Sequence, residues 1–150
     1  MVDLATVLSA NLPAAIAWAE AQSQLVLNTG APLTESGVAD AKAVGVAQPE
    51  RIRVLVVPHM PLPDDAALRA IALDTGLLGP DAIGLTLGHT IFIVEGHESR
   101  QLLTHECRHV HQYETAGSIA AFLPVYFQQL VTVGYYDAPF EVDAREHEID

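Results

Sequence analysis

The stretch LLTHECRHVHQYE, residues 102–114, sets imidazole, carboxylate, thiol and guanidinium side chains within little more than three helical turns. An α-helix turns about 100° per residue, so His105 and His109 fall about 40° apart on one face. From there two imidazoles can reach a single Zn²⁺ at roughly 2.0–2.1 Å each. Glu106 lies on the flank of that face, badly placed to bind the same ion and well placed to reach a water beside it. The run reads H-E-x-x-H over His105-Glu106-Cys107-Arg108-His109. Two neutral histidines leave the ion its charge, which draws the pKa of bound water towards neutrality. The adjacent carboxylate can take the water's proton and return it to a leaving amine. A solvated helix face that happens to carry two histidines is the competing explanation, because three fixed positions in five recur by chance. The N-cap, the apolar Leu102, Leu103 and Val110, and the preceding strand-like TIFIV weigh against it.

A catalytic zinc takes a third protein ligand and leaves its fourth position to water. The downstream histidine of metzincins is absent: Thr115 stands six residues beyond His109, and Gln112 stands where that pattern has Gly. The third ligand must come from elsewhere, and the C-terminal segment offers Glu141, Asp143, Glu146, His147 and Glu148. Glu148 shares a helical face with Glu141 but lies too far along it to share the ion. His147 is turned some 120° away and reads as a surface residue. Asp143 is a candidate to orient a histidine from behind, with a solvated position as the alternative. Tyr135 and Tyr136 precede that helix; Tyr136 is the candidate donor to the oxyanion of a tetrahedral intermediate, with packing as the competing role. His111 points away from the ligand face, and Cys107 falls with Leu103 and Val110 on the side expected to be buried.

LLTHECRHVHQYE, then an apolar helix, then YYDAPFEVDAREHE resembles the small single-domain gluzincins, the minimal HExxH metallopeptidase-like domains. In these the motif helix often reads H-E-x-x-H-x-x-Q, with an N-P-x-E-x-x-A-like segment about thirty residues on. His105, Glu106, His109 and Gln112 match the first element. DAPFEVDA matches the second, with Ala138 where Asn is common, and the resemblance makes Glu141 the implied third ligand. LTLGHTIFIV looks like the family's strand leading into the active helix. The resemblance covers roughly residues 83–150, and the first eighty residues carry no such signature.

The surrounding elements follow from local signals. Pro13 predicts the first position of a helix running to about Leu27, with Asn28 and Gly30 stopping it. Thr34 with Glu35 predicts a short helix ending near Gly45. RIRVLVVPHM reads as a strand closed by Pro58, and Asp64 and Asp65 open a helix that Gly76 ends. AIGLTLGHTIFIVEG gives two short strands about Gly88. Ser99 caps the motif helix and Gly117 ends it. SIAAFLPVYFQQLVTVG is a further helix that Pro124 either kinks or begins, and Pro139 opens the last. This order predicts a mainly helical α+β domain spanning residues 1–150, zincin-like, with a small sheet whose edge strand precedes the HExxH helix. An edge strand there would let a substrate backbone pair with it.

The chain has 150 residues, a formal net charge of −12 and one cysteine. That charge argues against nucleic acid or an anionic membrane as partner. A lone cysteine can form no internal bridge. The N-terminal run lacks a basic leader region, and Asn11, Pro13 and Glu20 interrupt its apolar residues, which reads against a signal peptide and a spanning helix. A cytoplasmic location is expected, with export by a signal-less route left open. The leading expectation is a zinc-dependent hydrolase acting on a peptide or protein, with Zn²⁺ on His105, His109 and Glu141 and Glu106 as general base. The alternative is a catalytically silent binding or effector module braced by zinc, which Asp143 or His147 would close as a fourth ligand.

Overall fold

The computed structural model describes residues 3–150. Met1 and Val2, part of the stretch in which a leader was sought, lie outside the described residues. Helix α1 spans Leu4–Thr29, strand β1 Ala31–Pro32, α2 Glu35–Ala43, β2 Arg53–Val57, α3 Ala66–Asp74, β3 Gly84–Leu87 and β4 Thr90–Val94. Three helices follow: α4 Arg100–Ala116, α5 Ile119–Asp137 and α6 Pro139–Glu146. The chain is α+β, with a small mixed sheet ordered β1-β2-β4-β3.

The strand before the motif helix is not an edge. β4 pairs in parallel with β2 over Arg53↔Thr90 to Val57↔Val94, and antiparallel with β3 across the turn at Gly88. Its alternate side chains enter two cores: Ile91 and Ile93 pack with Ile52, Cys107 and Val110, while Phe92 packs with Val26, Tyr113 and Phe122. A strand covered on both faces reads as a continuous apolar run, which TIFIV does. The free edge beside α4 belongs instead to β3.

α1 begins at Leu4, well before the expected start at Pro13. The Asp3 carboxylate caps it by accepting from the Thr6 amide at 2.9 Å, and Pro13 lies inside the helix. Asn11, Pro13 and Glu20 do not break it, and by length and composition it is long and apolar enough to cross a membrane. Here it lies against α3, α5 and the sheet, with Leu8, Ala19, Ser23 and Val26 buried. Pro124 likewise sits inside α5, whose break falls later, at Gly134 with φ +82°. The remaining boundaries follow their caps: Thr34, Asp65 and Ser99 each accept from a first-turn amide, and Pro139 opens α6.

Gly117, at φ +102°, turns the chain so that α5 leaves α4 at 114°. Stacked rings lock that corner. Tyr113 of α4 lies 3.8 Å from Phe122 of α5, and Phe122 lies 4.9 Å from Phe140 of α6. Phe122→Ala is expected to cost about 3–5 kcal/mol, because the ring is buried against Tyr113, Tyr126 and Phe140. Val125→Ala, at a half-exposed site, should stay within about 0.5 kcal/mol. Denaturant unfolding of the two variants checks the pair, and equal losses would contradict the stack's role.

Candidate metal centre

His105 and His109 stand one turn apart on α4, with ring centroids 5.0 Å apart. Glu141 comes from the first turn of α6, which Pro139 starts. One Glu141 oxygen lies 3.3 Å from His105 Nε2 and the other 3.3 Å from His109 Nε2. One ligand atom from each of the three residues falls within 4.8 Å of the others, close enough to hold a metal ion. Ligands about 2.0–2.1 Å from a tetrahedral ion stand about 3.3 Å from one another, so the spacing suits such an ion.

The opposite ring nitrogens settle the tautomers. His109 Nδ1 donates to Gln112 Oε1 at 2.7 Å, and Gln112 Nε2 in turn donates to Phe140 O and Asp143 Oδ2, each at 2.9 Å. With the amide nitrogen so committed, only its oxygen faces the ring. His105 Nδ1 donates to Glu148 Oε2 at 2.8 Å. In the neutral rings both Nε2 lone pairs therefore face carboxylate oxygens, which repels unless a cation or protons sit between them. The donor set fits a metal ion on this ground, and anchored histidines of this kind hold metals more tightly. Tyr126 of α5 adds a hydrogen bond to Glu141 Oε2 at 2.8 Å.

Asp143 thus acts on His109 only through Gln112, and its carboxylate also receives Arg108 Nε at 2.8 Å. Glu148 is no ligand, yet it reaches His105 from behind, a contact that idealised helical spacing undervalues. α6 ends at Glu146, and the chain turns back there so that the Ile149 amide donates to Thr104 Oγ1 at 2.9 Å. His147 Nδ1 donates to Asp143 O, and His111 Nδ1 donates to Gly45 O. Cys107 is fully buried, and burial pushes its thiol up to about 12.

Glu106, 5% exposed, turns toward the sheet. Thr86 of β3 donates its hydroxyl to Glu106 Oε1 at 2.8 Å and lies 3.1 Å from Glu106 O. A Cβ on Gly84 would stand 2.8 Å from Glu106 Oε2, so glycine makes room for the carboxylate there. Neither residue carries a motif signal. An open cleft of about 620 Å³ lies above, bounded by Ile83, Gly84, His105, Glu106, Tyr135 and Arg145. Tyr136 is absent from it: this ring is 70% exposed, with the Arg145 guanidinium 4.0 Å from its centre. The break at Gly134 resets the helical phase just before the two tyrosines and brings Tyr135 to the cleft instead.

Burial opposes a proton on His109, but hydrogen bonding and charge from Glu141 prevail and hold its pKa at about 9. Burial would raise Glu141, and the bonds from His105, His109 and Tyr126 instead hold it well below the usual carboxylate range. Burial raises Glu106. In the metal-free chain, stability from His109 is complete below pH 6.5 and is lost as the pH climbs through about 9. Glu106 has the same sign, losing stability above its ordinary 4.5, whereas Glu141 contributes stability above 4.5 that disappears as the pH falls. The Tm of chelated protein should therefore drop between pH 6.5 and 9. A Tm that rises over that interval contradicts the ion-paired arrangement.

Compared with protein-family models, curated proteins and solved structures, the chain matches none.

Proposed function

We propose that the chain is a zinc-dependent hydrolase of the gluzincin kind, acting on a peptide bond brought into the cleft beside β3. The observation that carries this reading is the meeting of two polar devices in one place. A convergent triad of His105, His109 and Glu141 lies beside Glu106, whose carboxylate a different element holds still. Asp143 and His147, which would close a purely structural site, are committed to other partners.

Zinc bound by the triad would supply polarisation of the scissile carbonyl and a lowered pKa for an attacking water. The chain's own residues do the rest. Gln112, Glu148 and Tyr126 fix the ligands' orientation, so that no reorganisation is needed when substrate arrives. Glu106 accepts the proton of the attacking water and passes it to the leaving amine. Thr86 keeps that carboxylate in place, and the space above Gly84 lets it lie against the strand. The Tyr135 side chain lines the cleft and is the candidate hydrogen-bond donor to the carbonyl oxygen. β3 has a free edge there, on which an extended peptide backbone can pair.

Elemental analysis of the purified chain tests the centre. One zinc per chain is expected in the wild type and in Glu106→Gln, and none in His109→Ala. Glu141→Ala should lose affinity more than Gln112→Ala, for which about 10–100-fold is expected. Gly84→Ala should keep zinc and lose hydrolysis of a peptide library along with Glu106→Gln. A metal-free chain in every variant, even after zinc is added back, would refute the reading.

A further inference from the structure

One arginine lines the open cleft above Glu106, Arg145 of α6. The chain has 19 acidic residues against 7 lysines and arginines, so an arginine seldom lacks an acid nearby. Arg108 grips both oxygens of Asp143, and Arg100 both oxygens of Asp40. Arg145 is half-buried and forms no ion pair among the described residues. The acids of its cleft are engaged elsewhere or stand apart. Glu106 and Glu141 belong to the metal centre, and Glu148 is bonded to Gln101 and His105. Asp81, on the loop between α3 and β3, does not reach it.

Two contacts hold the guanidinium in a fixed plane. It lies 4.0 Å from the centre of the exposed Tyr136 ring, and Nη2 donates to Tyr136 O. The remaining N–H groups, Nε among them, have no acceptor among the described residues. Such a planar fork matches the two oxygens of a carboxylate. A half-buried cation without a counter-ion is favoured when one arrives. Glu141 and Arg145 stand four apart on α6, so they share a face, with Cα atoms about 6 Å apart along the axis. One to two residues of extended peptide span about that distance.

We infer that Arg145, oriented by Tyr136, anchors a carboxylate of the substrate one or two residues from the bond presented to Glu106. The inference rests on the hydrolase reading above and adds to it the substrate class. The carboxylate belongs either to the end of a peptide or to an acidic side chain.

Four hydroxamates test this on the zinc-loaded chain. Malonohydroxamate is coupled to alanine, as the free acid and as the amide, and to the amides of glutamate and glutamine. In at least one pair the charged member should bind about tenfold more tightly than its neutral twin. A preference in the alanine pair assigns the anchor to a chain end, and one in the other pair assigns it to a side chain. Arg145→Met should keep one zinc per chain and bring the ratio to about one, and Arg145→Gln replaces it if that variant does not fold. Tyr136→Leu should lower the ratio and Tyr136→Phe restore it, because the ring and not the hydroxyl holds the guanidinium. Equal affinity within both pairs overturns the inference. So does a preference that survives in Arg145→Met, which would put the carboxylate on the ion. Should no hydroxamate bind, the hydrolase reading falls, and the metal-free chain is titrated with the same four compounds carrying acetyl-alanine in place of malonohydroxamate. A charge preference lost in Arg145→Met then upholds the anchor, and equal or absent binding overturns it too.

Discussion

The carboxylate of Glu141 is 4% exposed, and the arrangement of the C-terminal helices follows from that burial. A charge removed from water costs several kcal/mol unless partners surround it. Its partners come from two other helices, the imidazoles from α4 and the Tyr126 hydroxyl from α5. The corner at Gly117, the aromatic stack and the proline that starts α6 all fix those helices at contact distance. Misplacing any of them would strand a charge, so packing and electrostatics enforce the same geometry. The desolvation that makes the cluster costly in isolation also makes it receptive to a cation.

α4 stands between this cluster and the sheet and serves both. Cys107 and Val110 face the aliphatic core with Ile91 and Ile93, whereas His105 and His109 face α6. Glu106 falls between those faces and is the one motif residue gripped by a strand. That division of labour explains why a small sheet is needed in a mainly helical chain. β4 is buried in the middle, and β3 is left to border the cleft.

The ligand face was legible because helical periodicity is strict: His105 and His109 had to share a side. Glu141 was legible only through resemblance, since spacing left five acidic or imidazole candidates. Thr86 and Gly84 were invisible, because nothing in a short strand announces which residue of a later helix it will touch. The contact of Glu148 with His105 and the approach of Tyr135 to the cleft were hidden for a related reason. Periodicity carried through a turn or a kink assigns the wrong direction, and the chain departs from the helix at Glu146 and at Gly134. Pro13 misled in the opposite way. Proline is favoured at a helix start, but the longer α1 gains enough packing to tolerate it inside.

The contact that holds Glu106 is the more local of the two that build the site. Thr86 and Glu106 stand 20 residues apart in sequence, whereas His105 and Glu141 stand 36 apart. Closing the longer span costs about 0.5 kcal/mol more in chain entropy. α5 fills most of that span, so its length and its break at Gly134 set where Glu141 meets the imidazoles. An ion held by these three side chains would therefore tie together the junction that chain entropy opposes more.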